Sequence, residues 1–458
     1  MRDGRGRRRG RTVADVHVDD WNAQRRLGRR QRVLLPVLAL MGLTAFILWP
    51  TLAGEALQYA AYLLVAAVVG LKLVVLVLAR RPPPPVPLNW AALPRYTVIA
   101  PMYREGDVCP QLVTHLNALI YPRDRLQVLL TLESDDAETR AVLEGMILPT
   151  GFEIFIAPPG WPKTKPRACN EALEAATGEL LVIYDAEDRP EPEQLLEAAA
   201  RFVEDPGTAC FQAPLRIDHV RGFLGAQFAF EYAAQFEILL PALRRIGAPF
   251  PLGGSSNHFR TATLKALGGW DPHNVTEDAD LGFRMAAAGL RCGLLNTPTW
   301  EEPPHRLRDW IPQRSRWVKG HLQTWLVHMR RPVGGGVRRF LAIQATLGLG
   351  VVTAAAHGPL ALLLVVDAGL RLSGLREPPL GWEDGALLAA SWLVSVASML
   401  LGARRAGLSL SPLRALQAPF YWPLHSLAAA RAIWQLIRAP FYWEKTDHQP
   451  VGAGLRPA

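Results

Sequence analysis

Cysteine is scarce: four occur in 458 residues (Cys109, Cys169, Cys210 and Cys292), with no CxxC pair and no metal-ligand spacing. That argues against a disulfide framework and against a structural zinc site. Charge is sparse as well, and it is unevenly placed. Residues 1–32 hold eleven Arg and four Asp, which is seven of the formal +9. The other 426 residues carry 39 basic and 37 acidic groups. The basicity is therefore a tail and not a surface. No recognisable nucleic-acid-binding motif accompanies it, so nucleic acid is not an expected partner. A hydrophobic content of 50% argues against disorder for most of the chain, and the length leaves room for two or three domains.

What is abundant is hydrocarbon, in runs. Residues 33–50 and 56–79 are apolar and separated only by TLAGE. About 20 apolar residues cross a bilayer, so the pair predicts a transmembrane hairpin over 33–80. No small-residue cleavage site suggests a signal peptide instead. Arg29, Arg30 and Arg32 precede the first span, and Arg80 and Arg81 follow the second. The positive-inside rule then puts both ends in the cytoplasm. Lys72, near the cytoplasmic end of the second span, is expected to snorkel. Farther on, 340–366 is apolar with a break expected at His357-Gly-Pro, and 386–402 is a further candidate span followed by Arg404 and Arg405. The Pro- and Arg-bearing stretch 411–438 reads as interfacial helices. About four crossings result, with a lipid bilayer as partner.

Between these regions the pattern changes. Pro82–Pro85 and Pro87 form a stiff spacer within 81–94. Strands are predicted at 96–100, 126–132, 153–157 and 180–184, with helices near 107–119, 136–146 and 166–176 between them. Alternation at this spacing predicts a parallel α/β sheet. Ligands sit at the carboxyl ends of such strands. There the chain places Pro101–Glu105, Glu133–Asp136 and Asp185–Asp188, so acids converge on one edge.

Asp185-Ala186-Glu187-Asp188 follows a strand, and carboxylates packed this closely repel unless a cation is present. Oxygen-only ligands point to Mg2+ or Mn2+, while the alternative is a solvated loop opening a helix at 191–203. Thr276-Glu277-Asp278 fits either a helix cap or a buried general base. Gln313, Arg316 and Trp317 share one face of a predicted helix over 309–329. They suit a diphosphate and a sugar ring, or else an amphipathic helix at a membrane surface.

In order, PMYRE (101–105), ESDD (133–136), KPRACN (165–170), DAED, TED and QRSRW resemble the processive, membrane-embedded family 2 glycosyltransferases, which include cellulose, chitin and hyaluronan synthases. The resemblance implies a GT-A-type nucleotide-diphospho-sugar transferase domain at 95–335, inserted between transmembrane helices. It would be followed by membrane and interfacial helices to 438 and a cytoplasmic tail over 439–458. It implies an inverting enzyme that uses a nucleotide sugar, a UDP-sugar by expectation, to elongate a polysaccharide at the cytoplasmic face of a bacterial-type inner membrane. Asp278 would be the base. Glu133 or Asp136 would meet the nucleoside, Lys165, Asp185, Gln313 and Arg316 the diphosphate, and Asp185, Glu187 and Asp188 the metal. Trp317, Gly254 and His258 would face the acceptor. The segment Trp443–Thr446 with His448 resembles terminal or gating segments near the cytosolic mouth of such enzymes. The usual Asp-Asp-Gly of the first nucleotide contact is absent. The acceptor would be a glycan or a lipid-linked sugar, which keeps single addition open, and export partners are not specified. A scaffold without activity is the remaining alternative.

Overall fold

A computed structural model describes residues 21–374 and 381–444. Its centre is a seven-stranded mixed sheet. The strands in chain order are β1 (Tyr96–Met102), β2 (Leu126–Glu133), β3 (Phe152–Ala157), β4 (Leu180–Ile183), β5 (Arg189–Pro190), β6 (Thr208–Gln212), β7 (Leu215–Ile217), β8 (Asn257–Arg260), β9 (Arg291–Leu294) and β10 (Thr299–Glu301). The large sheet runs β3-β2-β1-β4-β8-β6-β9. Its first four strands are parallel, as the alternation predicts, with crossover helices Cys109–Asn117, Ala137–Glu144 and Lys165–Ala175. Strand β8 lies antiparallel between β4 and β6. A small second sheet, β5-β10-β7, lies beside it.

Successive residues of a strand point to opposite faces, so one run of apolar residues serves two cores. Ile99, Leu129 and Leu181 pack on one side, and Val98, Leu130 and Val182 on the other. All six are at most 1% exposed. This is an α/β fold of the GT-A type.

Among the described residues, four helices are long and apolar enough to cross a membrane: Arg29–Leu48, Pro50–Leu78, Val337–Ser373 and Trp382–Ala406. They flank the sheet domain in sequence. Two local expectations change. No break falls at His357-Gly358-Pro359, because Leu349–Ser373 is one continuous helix. The Gly358 N–H donates to Ser426 Oγ at 2.7 Å, so the neighbouring helix Ala418–Arg438 satisfies a group near the proline. Nor does Lys72 snorkel: its Nζ donates to Ser395 Oγ of the Trp382–Ala406 helix at 2.6 Å.

Candidate active site

A cavity of about 320 Å³ opens at the carboxyl ends of β1, β2 and β4. Strand ends supply Pro101–Tyr103, Glu133 and Asp185–Glu187, and the loop before β8 supplies Gly253–Ser255. The first turn of the helix Glu277–Ala287 supplies Glu277 and Asp278. One face of the helix Leu307–His328 supplies Gln313, Arg316, Trp317 and His321. Thr276 stands at the N-cap position of its helix, but its side chain makes no capping hydrogen bond. The cap reading of this segment therefore fails for the hydroxyl.

The centre of the site is a meeting of charges. Lys165 Nζ pairs with Asp185 Oδ1 and donates to the Gly254 carbonyl at 3.0 Å. Burial would lower the Lys165 ammonium, but Asp185 and Glu277 raise it, so it stays charged. A Cβ placed on Gly254 would stand 3.6 Å from Asp278 Oδ2 and 4.0 Å from Asp185 Oδ2. These two carboxylates thus face one point across a residue with no side chain. Burial pushes the Asp278 carboxyl up; Glu277 is raised by burial and then by Asp278 beside it. Asp278 Oδ1, Gln313 Oε1 and Arg316 Nε are out of contact with solvent and have no hydrogen-bond partner among the described residues. Unsatisfied polar atoms lining a cavity are the mark of a place where a polar ligand completes the bonding.

Other predicted residues are placed as follows. Glu133 lines the cavity and pairs with Arg167. Asp136 does not reach it: Oδ2 accepts the Arg104 N–H at 2.6 Å and Oδ1 the Thr139 N–H at 3.2 Å. It caps the helix Ala137–Glu144 and holds Arg104 at φ 54°. Of the two nucleoside candidates, geometry brings only Glu133 to the cavity. Asp188 turns away from it as well. Its buried Oδ2 accepts the Asp185 N–H at 2.7 Å, bracing the loop that presents Asp185. His258 is a correction of the same kind. On β8 its ring points into the core, with Nδ1 2.6 Å from the Tyr96 hydroxyl and Nε2 3.1 Å from Gln194 Oε1. Burial holds that imidazole down to about 3. Such a ring is a neutral core histidine and not an acceptor contact.

Several lining groups carried no sequence signal. Glu301 ends β10 and enters the cavity near Glu187 and Asp185; burial first, then these two carboxylates, raise it. Tyr232 lies 6.1 Å from the Trp317 ring, ring centre to ring centre. Trp443, by contrast, belongs to the segment expected near the cytosolic mouth, and it covers Arg316, whose guanidinium is 4.8 Å from the indole centre. Thr446 and His448 lie outside the described residues. Among the described residues, no three His, Cys, Asp or Glu side chains converge closely enough to hold a metal by themselves.

Residues 94–320 match the profile of the family described as "Glycosyltransferase like family 2". The β-monoglucosyldiacylglycerol synthase of Synechocystis sp. is 26% identical over 245 residues, covering 52% of this chain and 50% of the relative. The poly-β-1,6-N-acetyl-D-glucosamine synthase of Staphylococcus aureus is 23% identical over 237 residues, covering 51% and 56%. The chain spans about half the length of these curated relatives. Among solved structures, the mannosyltransferase PcManGT of Pyrobaculum calidifontis, in complex with GDP-Man and Mn2+, is 20% identical with a TM-score of 0.56, covering 83% of this chain and 99% of that one. That likeness is one of fold. Over residues 94–320 the chain is thus similar to family 2 glycosyltransferases.

Proposed function

We propose, starting from this likeness to family 2 glycosyltransferases, that the protein is an inverting, membrane-embedded transferase. It takes a glycosyl group from a nucleotide sugar, a UDP-sugar by resemblance, and elongates a polysaccharide at the cytoplasmic face of a bacterial-type inner membrane. The observation that carries the reading is the arrangement of Asp278. Its buried carboxylate has an unpaired Oδ1 and shares the point across Gly254 with Asp185, with Arg316 in the same cavity.

The residues divide the work as follows. Glu133 meets the nucleoside end. Lys165 and Arg316 balance charge growing on the departing diphosphate, where fixed cations cost no reorganisation. Asp278 accepts the proton of the acceptor hydroxyl as its oxygen attacks the anomeric carbon opposite the leaving group. Trp317 and Tyr232 give the acceptor ring apolar faces on which to lie. Asp185 and Glu187 are the oxygens that would hold Mg2+ or Mn2+. Glu301, raised first by burial and then by Glu187 and Asp185 beside it, supports an edge suited to a cation. When bound, the ion supplies charge neutralisation at the diphosphate.

A single addition to a lipid-linked acceptor is a second reading, favoured by the small number of candidate membrane helices among the described residues, four. Incubating membranes with a panel of UDP- and GDP-sugars and sizing the labelled product tests both. A ladder supports elongation, one added residue supports the second reading, and no transfer from any donor overturns both.

A further inference from the structure

The helix that carries Asp278 is held from an unexpected quarter, the segment just before the first apolar helix. Trp21 is 3% exposed. It packs against Ala287 and Val327. Its ring lies 4.9 Å from that of His328, and the Arg339 guanidinium stands 4.7 Å from the indole centre. His328 is in turn wired to the catalytic helix. Its Nε2 is 2.8 Å from Asp280 Oδ1, and Arg339 bonds its Nδ1. Asp280, two residues beyond Asp278, also accepts from Arg284 Nε at 2.7 Å. The indole thus shuts water away from a buried polar chain that ends on the helix Glu277–Ala287.

A second set of bonds reaches the loop that precedes that helix. The Ala23 N–H donates to Asp271 Oδ2 at 2.6 Å, and Asp271 Oδ1 accepts the His273 N–H at 3.0 Å. This is the loop that leads into Thr276 and the two acids. Arg330 donates to the carbonyls of Asn22, at 2.9 Å, and Arg25. Gln31, in the first turn of the helix Arg29–Leu48, donates to the Leu326 carbonyl at 2.8 Å. The chain from Trp21 to Gln31 therefore joins the first apolar helix to the element that presents Asp278 and to the loop before it.

We propose that residues 21–28 are a strap that fixes the Glu277–Ala287 helix relative to the first apolar helix, with Trp21 a positioning residue for glycosyl transfer. The part that concerns transfer rests on Asp278 as the base. A misplacement of about 1 Å in a reacting group costs up to about a hundredfold in rate, so a loosened helix lowers turnover without touching the donor's own contacts.

The test uses the full chain in detergent, comparing Trp21→Ala, Trp21→Leu and Trp21→Phe. The expected result for Trp21→Ala is a kcat for transfer lowered about tenfold with the KM for the nucleotide sugar within about twofold. Hydrogen exchange at the amides of 276–280 rises at least about fivefold while that of β1 and β4 is unchanged. Trp21→Phe restores both, and Trp21→Leu, which keeps apolar volume but no ring, shows a weaker form of the same pattern. Unchanged kcat and exchange in Trp21→Ala overturn the strap. So does exchange that rises over the whole sheet, with kcat and KM falling together and no rescue by phenylalanine. If the unaltered protein transfers no sugar, the proposed function fails, and the local exchange contrast still decides the strap.

Discussion

The guanidinium of Arg314 lies 4.6 Å from the centre of the Trp317 ring. It also faces Phe228 and Trp310 and is ion-paired with Glu231. Glu231 accepts the Tyr421 hydroxyl at 2.8 Å and lies 3.0 Å from His425 Nε2. Burial alone would raise the Glu231 carboxyl, but Arg314 and His425 hold it down to about 2. The ring proposed to carry the acceptor is thus clamped through its neighbour to the helix Ala418–Arg438.

Replacing Arg314 by Met leaves the buried Glu231 carboxylate with only Tyr421 and His425 as partners, which costs up to about 3–5 kcal/mol. The double variant Arg314→Met, Glu231→Gln recovers most of that stability, as unfolding in detergent will report. Transfer stays low in both, by roughly ten- to a hundredfold, because Trp317 has lost its clamp. Donor affinity changes little, which separates this loss from one at the diphosphate.

Asp278 and Glu277 give a prediction in pH. Both carboxyls are raised above the usual range, by burial first. A base works ionised, so kcat for transfer climbs as pH rises through the elevated Asp278 value, and Asp278→Asn removes that limb. The same variant loses roughly a thousandfold in turnover while binding donor nearly normally. Stability runs the other way. An acid raised in the folded state gives its full contribution below about pH 4, the unfolded value, and loses it as pH rises through the folded one. Turnover and unfolding midpoint measured over one pH series should therefore move in opposite directions.

Much of this site is written in local pattern. The apolar runs of β1, β2 and β4, each followed by polar residues, mark the strand ends, and helical spacing puts Gln313, Arg316 and Trp317 on one face. His258 misleads because Gly254 and His258 sit in one short segment, while a turn and a strand divide it. Gly254 lies in the turn, and His258 faces the core on β8. Asp188 misleads because three adjacent acids look equivalent until the loop folds back on the Asp185 N–H. Glu301 belongs to a strand of three residues, too short for any period to show. Tyr232 sits on the helix Gly222–Ala234, largely apolar apart from Gln227 and Glu231, and that near-continuous apolar run hides its cavity face. The antiparallel insertion of β8 between β4 and β6 depends on long-range pairing that no local signal carries.

The two ends of the Asp185–Asp188 loop should separate by metal dependence. Chelation is expected to abolish transfer, with Mn2+ or Mg2+ restoring it. Asp185→Asn raises the metal concentration needed for half activity by at least about tenfold. Asp188→Asn keeps an acceptor for the Asp185 N–H and leaves that concentration nearly unchanged. Asp188→Ala removes the acceptor and lowers stability by about 1–3 kcal/mol. Metal titrations of transfer, with unfolding curves beside them, check all three variants.

Gly320 offers the last test, since it sets how closely the Trp317 helix approaches the loop before Asp278. A Cβ there would lie 2.4 Å from both Cγ2 and Oγ1 of Thr276 and 2.8 Å from its Cβ. Alanine in a helix is ordinarily favoured over glycine by about 1 kcal/mol, so a substitution judged on propensity alone should stabilise. Overpacking against a β-branched side chain costs about 1–3 kcal/mol and wins. Gly320→Ala is therefore expected to destabilise, and also to lower transfer by pushing Thr276 and the two acids away from Arg316. Thr276→Ala removes Cγ2 and Oγ1, and that hydroxyl has no hydrogen-bond partner among the described residues. The double variant should then regain part of both stability and turnover. Thermal unfolding and transfer rates of the two single variants and the double one read the coupling, and simple additivity would show that the contact does not govern the spacing.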